Sequence, residues 1–485
     1  MDGADAVTEQ KPIPNRAQSR SPSSTLAAMA SPALATIPDE LLEEIFLRLP
    51  TPAAVACASA ACTSFRRVIK GHAFRRRFRS LHLPPLLGFM DAAGFHPAEA
   101  PHPSAPLAGA LAPCAADYSF VPPVVSSSSY ESFELDVDAV PRWRPRDVRD
   151  GRVLLDWISR HPRVVHMWSY PEDGSREDED GSDISILMNC TEVVDYHVGA
   201  RPTWTKRERC NAADFHLAVC DPLFRRYVVL PTIPEDLAAH PQERLFEFEP
   251  MLAPTAGEDE SFKVICIARY ETKLAIFVFT STTRQWRLGI CPNLNPLGNL
   301  SCFDCVRSCF YWTERRGWSD NLLVLDTHTM AFSGVDLLTG YHVQLRDLPD
   351  EYISSRRLSA VVVGREGVLE MFSLVCRHGS FALHHTSLKH NSHEWKLEKI
   401  IPLPNLYRDY SICSVGGAEG FLFFRGAPEG IINNVGINNE NVDCYSLDVK
   451  TYEITKVCSK MEIFFNRKRA LPYFSFPPLL LEPTI

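Results

Sequence analysis

Three cysteines have the spacing of a metal site. Cys302, Cys305 and Cys309 lie in the sequence CFDCVRSC, and C-x2-C-x3-C is a spacing that zinc and iron–sulfur sites use. No fourth ligand is evident nearby, and nothing in the sequence favours Cys291 as that ligand. The segment that follows, FYWTERRGW, predicts a strand and then a turn, and in an extended strand Cys302 and Cys305 face opposite sides. We therefore predict buried or half-exposed thiols here rather than a metal site.

Histidines form a second group of possible ligands. The segment HGSFALHHTSLKHNSHEW contains His378, His384, His385, His390 and His393. The adjacent His384 and His385 point to opposite faces of a strand, so only one side could collect ligands. We predict surface and loop histidines here, with no metal or other cofactor.

Two short segments are strongly basic: FRRRFR at residues 74–79 and NRKRA at residues 466–470. Such segments serve in nuclear import or phosphate contact, but solvated helix and loop faces explain them more simply. The sequence contains no glycine-rich phosphate loop, no G-x-S-x-G and no H-E-x-x-H. These observations agree with a chain that is not an enzyme.

Composition indicates a soluble protein of more than one folded unit. The chain has 485 residues, beyond the size at which one core stops growing. Its 45% hydrophobic and 22% charged residues are typical of globular proteins, and a formal charge of −9 gives no general attraction to nucleic acid or acidic membranes. No apolar run is long enough for a membrane span, and MDGADAVTEQ does not read as a signal peptide. The 15 cysteines are then expected to be reduced thiols in the cytosol or nucleus.

The composition changes along the chain and divides it into segments. Residues 1–35 are rich in Ala, Ser and Pro and are predicted to be a disordered tail, and residues 36–83 have a helical pattern. Residues 84–116 include HPAEAPHPSAPLAGALAPC and are predicted to be a linker. Residues 117–485 are predicted to be a β domain. Within it, residues 169–210 begin with an acidic run and are predicted to be a loop insertion, with a gene-model artefact as the alternative.

The β domain has a loose repeat of strand, turn and strand. The repeat occurs as LAVCDPLFRRYVVLP, IFVFTSTTRQWRLG, LLVLDTHTMAFSGVDL, LHHTSLKHNSHEWKLEKI and VDCYSLDVKTYEITKV. Its copies start about 45 to 65 residues apart, close to propeller-blade periods with loop insertions. We predict a mainly β fold with a small all-α N-terminal module and a β-propeller-like domain of about five or six blades. A pair of β-sandwiches is the alternative.

The helical pattern starts in TIPDELLEEIFLRLP. Leu41, Ile45 and Leu49 recur at i, i+4 and i+8, with Leu42 and Phe46 beside them, and charged residues fill the other face. Three or four short helices in this segment are too few to build much of a core alone. The apolar row therefore needs a partner surface.

Capping residues predict the helix boundaries. Thr36 is expected to cap the first helix, with Asp39 completing a capping-box-like start and Pro38 in the first turn. Thr51 is expected to start the second helix, and Gly71 to take the left-handed position after the third.

The segment IPDELLEEIFLRLPTPAAVACASAACTSFRRVI resembles an F-box, the helical module that docks onto the Skp-family adaptor of cullin-based ubiquitin ligases. The resemblance implies an adaptor-binding set of Pro38, Leu41, Leu42, Ile45, Leu49, Pro50, Val55, Cys62, Phe65 and Ile69. The family's usual Trp is Phe65 here, its usual Val before Cys is Ala61, and the second helix is unusually rich in alanine. We therefore expect the second helix to bury less surface area against the adaptor.

The β part resembles plant F-box proteins with kelch-like or F-box-associated propeller domains, in phrases such as LAVCDPLFRRYVVLPTIPEDL and HEWKLEKIIPLP. The resemblance implies that the β domain recruits a target protein, while the adaptor, and through it a cullin, brings the ubiquitin-transfer machinery. Catalysis is then by proximity, so the chain needs no nucleophile or cofactor. The implied partners are the adaptor, the cullin and an unknown target, with no membrane and no direct nucleic acid, in the cytoplasm or nucleus.

Two other functions fit the same sequence. A propeller enzyme would need acids, histidines or a metal converging at the channel mouth. A propeller scaffold with a degenerate F-box is the other alternative, because Phe65 and the alanine-rich second helix depart from the family pattern.

Overall fold

The computed structural model divides the chain into two compact units, Met1–Leu81 and His82–Ile485. The predicted tail, residues 1–35, lies outside the described residues. The structure describes residues 37–91, 94–115, 117–124, 142–158, 167–169, 201–203, 212–238, 245–253, 261–270, 273–289, 300–306, 309–314, 321–336, 359–363, 369–377, 380–388, 395–405, 407–411, 417–418, 420–428, 441–461 and 471–481.

Four short helices make up the described part of the first unit. They are α1 Asp39–Leu47, α2 Pro52–Ala61, α3 Thr63–Lys70 and α4 His72–Leu81. Their shared interior is apolar and contains the buried side chains of Leu42, Phe46, Val55, Ile69, Phe74 and Phe78. Phe74 stacks on Phe78, with ring centroids 5.8 Å apart. Mutual burial of these large side chains holds together helices that are too short to be stable in isolation.

Two of the predicted helix boundaries are wrong. The N-cap residue of α1 is Pro38, not Thr36, because the Pro38 carbonyl accepts the first hydrogen bonds of the helix. Gly71 has φ −58° rather than a left-handed conformation, because α4 begins at the next residue. Thr51 does cap α2, where its hydroxyl accepts a backbone N–H at 3.2 Å.

The second unit is mostly β-structure. Its helices are α5 Ala105–Ala115 and α6 Glu235–Ala238. Its strands are β1 Leu86–Asp91, β2 Gly94–Pro97, β3 Arg142–Arg149, β4 Arg152–Ile158, β5 Met167–Ser169, β6 Arg201–Thr203, β7 Leu217–Asp221, β8 Arg226–Val229, β9 Leu245–Leu252, β10 Lys263–Tyr270, β11 Leu274–Thr280, β12 Gln285–Leu288, β13 Leu300–Val306, β14 Cys309–Glu314, β15 Asn321–Asp326, β16 Ala331–Asp336, β17 Ser359–Val363, β18 Leu369–Arg377, β19 Ser380–Leu388, β20 Trp395–Pro402, β21 Tyr407–Ser411, β22 Gly417–Ala418, β23 Phe421–Pro428, β24 Asn441–Asp448, β25 Ile454–Met461 and β26 Leu471–Phe474. None of the described helices is long and apolar enough to cross a membrane.

Most of these strands form antiparallel sheets in which chain neighbours pair. Sheet B has the order β3-β4-β7-β8, sheet C contains β9 to β12, sheet D contains β13 to β16, and sheet E contains β17 to β20. Sheet F has the order β21-β23-β24-β25, with β22 also paired to β23. Sheet A is different, because its order β2-β1-β26 joins the first strands of the unit to the last. The mainly β fold after a helical module is therefore confirmed.

Shared hydrophobic clusters identify which sheets are neighbours. One cluster joins sheet A to both B and F through Phe89, Trp143 and Phe423. Others join B to C, C to D and E to F. The first strands of sheets D and E, β13 and β17, also contact each other. Each sheet thus packs against the next and sheet A lies between the last and the first, which is a propeller-like succession rather than a pair of sandwiches.

The strand–turn–strand repeat corresponds to the outer hairpins of sheets B to F. Four of these hairpins share a turn that ends on a non-glycine residue with positive φ, namely Arg225 at 51°, Arg284 at 53°, Met330 at 55° and Tyr452 at 60°. Because this conformation is unfavourable for residues with a side chain, other bonds must hold the turn.

The carboxylate of Asp448 supplies such bonds in the β24–β25 turn. It accepts the backbone N–H groups of Lys450 and Thr451 at 2.7 and 3.0 Å. Replacing Asp448 by alanine is expected to lower the free energy of unfolding of the β unit by about 1–2 kcal/mol, because two hydrogen bonds are lost. Urea denaturation measures the change. Lys450→Ala alters an exposed side chain of the same turn and is the control, and equal losses in the two variants would contradict the expectation.

The predicted linker, residues 84–116, is folded instead. It contains β1, β2 and α5, and every residue of β1 is buried. The reason is that β1 pairs with β26 from the far end of the chain, a partner that the local sequence does not reveal. Gly88 has φ 146°, and a Cβ there would lie 2.1 Å from the His96 carbonyl oxygen, so the β1–β2 hairpin needs glycine. The helical unit accordingly ends at Leu81 rather than at residue 83.

Strands β4 and β7 are hydrogen-bonded neighbours, with Val153 opposite Cys220. The chain between them contains only the short β5–β6 pair among its described strands. This pairing agrees with an insertion, but most of residues 169–210 lie outside the described residues, so the insertion remains a prediction.

Candidate protein-docking surface

Two large apolar side chains of α1 are exposed on one side of the helix. Leu41 is 57% exposed and Ile45 is 51% exposed. Because they are four residues apart, they lie one turn apart on the same face. Pro38 and Pro50 beyond the helix ends are also exposed, and Leu49 is half-buried. We call these five residues the docking strip, since adjacent exposed apolar groups are typical of interaction sites.

The other side of α1 anchors the helix to its own unit. Leu42, Phe46 and Leu47 are buried. The Phe46 ring lies edge-on to Phe65 and Phe74, with centroids 5.0 and 6.5 Å apart. The apolar residues of α1 therefore divide into an anchoring set and an exposed set.

Ion pairs to α3 and α4 fix the rotation of α1 about its own axis. Asp39 pairs with Arg67 of α3 at 2.8 Å. Arg77 of α4 bridges Glu43 and Glu44 at 2.8 and 2.6 Å. The hydrogen bonds to Glu44 and Glu43 raise the pKa of the Arg77 guanidinium above its usual value. Exposed pairs contribute little stability singly, but three carboxylates tied to two helices favour the orientation that exposes the docking strip.

Three residues of the predicted adaptor-binding set are interior residues. Leu42 is 4% exposed, and Val55 and Ile69 are fully buried. They pack inside the helical unit in this structure, and their contact with a second protein stays a prediction. Cys62 and Phe65 are half-buried, and the Cys62 sulfur accepts the Phe65 N–H at 3.4 Å.

The prediction of surface histidines is wrong for His384 and His385, which are both buried. His385 Nε2 lies 2.9 Å from a carboxylate oxygen of Glu370, and its Nδ1 lies 3.0 Å from the Tyr452 hydroxyl. Its ring stacks on Phe372 at 4.6 Å. Polar partners from β18 and from the β24–β25 turn thus make its burial possible. The other three histidines of that segment lie outside the described residues.

The cysteine prediction is tested only at Cys309. Cys309 is half-buried, and burial, followed by the charge of Asp326, raises the pKa of its thiol. The side chains of Cys302 and Cys305 lie outside the described residues. Among the side chains that are described, no three His, Cys, Asp or Glu residues converge as metal ligands. The expectation of no metal or cofactor remains a prediction.

The β unit also has exposed apolar residues that the sequence patterns did not predict, among them Leu83, which is 56% exposed. Tyr227 and Val229 on β8, Leu288 on β12 and Ile400 on β20 are between 42% and 49% exposed. Each of these strands is the outermost strand of its sheet. Strand alternation could have indicated such positions. Leu288 and Ile400 are single exposed apolar residues on different sheets, which are ordinary surface features, and they serve below as controls.

The chain thus combines a small helical module, which has an exposed apolar strip, with a propeller-like β unit that follows it. Residues 34–77 match the family model of the F-box domain. The helical unit is therefore an F-box region, as its resemblance predicted. Proteins with this domain are typically non-catalytic and bind a Skp-family adaptor, so the match supports a general role in substrate recognition for a ubiquitin ligase.

Other comparisons add little. No curated protein sequence matches the chain. Solved structures with weak similarity include TolB from Acinetobacter baumannii, at 12% identity and TM-score 0.29, covering 50% of this chain and 49% of that one. A protein from Lactobacillus plantarum has 11% identity and TM-score 0.29, covering 68% and 85%. The Aleuria aurantia lectin, in complex with α-methyl-L-fucoside, has 7% identity and TM-score 0.26, covering 52% and 71%. The chain spans about half the length of TolB, and scores this low carry no argument about function.

Proposed function

We propose that this chain is a substrate-recognition subunit of a cullin-type ubiquitin ligase. Its F-box region binds a Skp-family adaptor through the docking strip, and its propeller-like unit, of kelch-like or F-box-associated type, recruits a target protein in the cytoplasm or nucleus. The exposure of Leu41 and Ile45, on a helix whose opposite side is anchored, carries the proposal.

The exposed area limits the expected affinity. Fully burying an exposed Leu or Ile side chain contributes about 1.5–3 kcal/mol. Leu41 and Ile45 are about half exposed in the free chain, so covering each of them contributes about half of that free energy. A micromolar complex needs about −8 kcal/mol after the cost of association. These two side chains together contribute about 1.5–3 kcal/mol, so the remaining docking-strip residues and polar contacts must contribute more than they do.

The proposed role requires no catalytic group in this chain. Holding a target beside a charged conjugating enzyme raises its effective concentration, and the transfer chemistry belongs to that enzyme. In this role the F-box region binds the adaptor, the β unit binds the target, and the chain joins the two.

Titration of the full chain with a recombinant Skp-family adaptor tests the proposal. Isothermal titration calorimetry is expected to give a one-to-one complex with a dissociation constant of about 1 μM or below. Absence of binding up to about 100 μM would contradict it and favour a scaffold with a degenerate F-box.

A further inference from the structure

Two buried cysteines face each other on neighbouring strands of sheet F. Cys444 of β24 and Cys458 of β25 are direct partners in the antiparallel register, and both are 0% exposed. Direct partners have Cα atoms about 4.5 or 5.5 Å apart and side chains on the same face of the sheet. Both separations lie within the range of about 4.4–6.8 Å that a disulfide spans. Both thiols are free, so the backbone holds them in an arrangement that a disulfide could join.

A cation lies beside this pair. Arg425 of β23 is the direct partner of Cys444 on its other side, so the three residues form a row across three strands. Burial, followed by the hydrogen bond with Cys458, raises the pKa of the Cys444 thiol, while the charge of Arg425 acts in the opposite direction. A neighbouring guanidinium favours the thiolate, which is the form of cysteine that reacts with oxidants. Cys444 is therefore the attacking thiol of the pair once solvent reaches it.

Glu99 holds the outer edge of β25, the last strand of sheet F. The Glu99 N–H donates to the Val457 carbonyl oxygen at 2.8 Å. The Glu99 carboxylate accepts the Ser459 N–H at 3.1 Å and pairs with Lys460 Nζ at 2.6 Å. Burial opposes ionisation of Glu99, but the hydrogen bonds from Lys460 and Ser459 hold its pKa below the usual value. These bonds lie on both sides of Cys458, so their release is the step that would admit an oxidant.

We propose that Cys444 and Cys458 are a reversible oxidation site, at which a peroxide joins them as a disulfide when β25 detaches from Glu99. The Cys444 thiolate attacks one peroxide oxygen and the O–O bond breaks, which leaves a sulfenic acid. The departing hydroxide takes up the proton that Cys444 lost and becomes the first water. The Cys458 sulfur then attacks the sulfenic sulfur, the S–O bond breaks, and the second water leaves with the proton of Cys458.

The two thiols thus lose two electrons, and one hydrogen peroxide is reduced to two waters. The site is independent of adaptor binding. In reducing compartments, disulfides are usually transient and serve catalysis or redox sensing, so a pair that forms and breaks in place agrees with the proposed location of the chain.

Peptide mapping of the full chain tests the proposal. The reduced protein is treated with excess hydrogen peroxide, the remaining thiols are alkylated under denaturing conditions, and the chain is digested with trypsin without a reductant. Cleavage after Lys450 and Lys456 places Cys444 and Cys458 in separate peptides. We expect these peptides to be linked after treatment and separate again after dithiothreitol. Two alkylated peptides after treatment, or Cys444 linked to a different cysteine, would overturn the proposal.

Two other buried cysteines are internal controls. Cys220 and Cys266 are also 0% exposed, but none of their direct strand partners is a cysteine. Both are expected to remain thiols and to be recovered in alkylated form. Oxidation of Cys220 and Cys266 to the same extent as the pair would overturn the proposal, because general unfolding rather than the paired geometry would then explain the reaction.

The linked chain is also expected to be more stable. Closing the short β24–β25 loop should raise the midpoint of thermal unfolding by about 3 °C, and dithiothreitol should reverse the rise. Cys444→Ala is expected to give neither the linked peptides nor the rise. Because this change removes a buried side chain, circular dichroism first checks that the variant is folded, and the peptide map of the parent needs no variant. A linked chain without any rise would overturn the role of the disulfide in holding β25.

A variant of Glu99 tests the opening step. Glu99→Gln loses the ion pair with Lys460, so β25 should detach more often and linkage should be about threefold faster. Glu398→Gln is the matched control, because it removes the pair with Lys396 at 2.9 Å on β20 of sheet E. Its linkage rate should equal that of the parent. Equal rates in the two variants would overturn the assignment of Glu99 as the group that controls access.

Discussion

Replacing Leu41 and Ile45 together by aspartate is expected to weaken adaptor binding at least about 100-fold, or about 2.7 kcal/mol. Each substitution removes apolar burial and places a carboxylate where it must lose water without a partner. Because both side chains are exposed in the free chain, the helical unit is expected to unfold at the same temperature as in the parent. Calorimetric titration measures the affinity, and circular dichroism measures the unfolding.

Two controls define what this result means. Leu288→Asp/Ile400→Asp changes two similarly exposed residues of the β unit and is expected to leave adaptor affinity unchanged. Leu42→Asp, at the next residue of α1, places a charge in the interior and is expected to unfold the helical unit. If the Leu41/Ile45 variant binds as tightly as the parent, the docking strip is assigned to the wrong face.

Deleting residues 471–485 is expected to prevent the β unit from folding. The segment supplies β26, which pairs with β1 in sheet A. Its large buried apolar side chains include Leu471, Tyr473, Phe474, Phe476 and Leu480. Burying five such groups contributes about 8–15 kcal/mol, which is comparable to the whole stability of a typical domain. Loss of the cooperative thermal transition and rapid proteolysis are the expected readouts.

Single substitutions in β26 show whether packing is the cause. Tyr473→Ala removes a fully buried ring and is expected to cost about 3–5 kcal/mol. Tyr473→Phe keeps the ring, removes only the hydroxyl, and is expected to change stability by less than about 1 kcal/mol. A truncated protein that unfolds cooperatively at the parent temperature would show that sheet A does not depend on the C-terminal strand.

The sequence predicts that α1 is amphipathic, but it does not say which apolar residues face outward. Leu41 and Leu42 are adjacent, and both fit an i, i+4 row, one with Ile45 and the other with Phe46. The aromatic packing of Phe46 with Phe65 decides between them. That contact joins α1 to α3, so it cannot be predicted from the periodicity of α1 alone.

The outer hairpins were predictable because strand, turn and strand are contiguous in sequence. Sheet A was not, because β1 pairs with β26 from the opposite end of the unit. The burial of His385 was missed for the same reason, since Tyr452 reaches it from another sheet. Local patterns thus predicted elements, while pairings between distant segments required the structure.

Hydroxyl-radical footprinting of Leu41 and Ile45, with and without the adaptor, tests the central claim most directly. The reaction reports how much water reaches each side chain, so one experiment measures exposure in the free chain and coverage in the complex. Leu41 and Ile45 are expected to be oxidised readily in the free chain and to be protected on addition of the adaptor. Leu288 and Ile400 should remain equally reactive throughout. Protection of Leu41 and Ile45 before the adaptor is added, or unchanged reactivity in a saturated complex, would contradict the account.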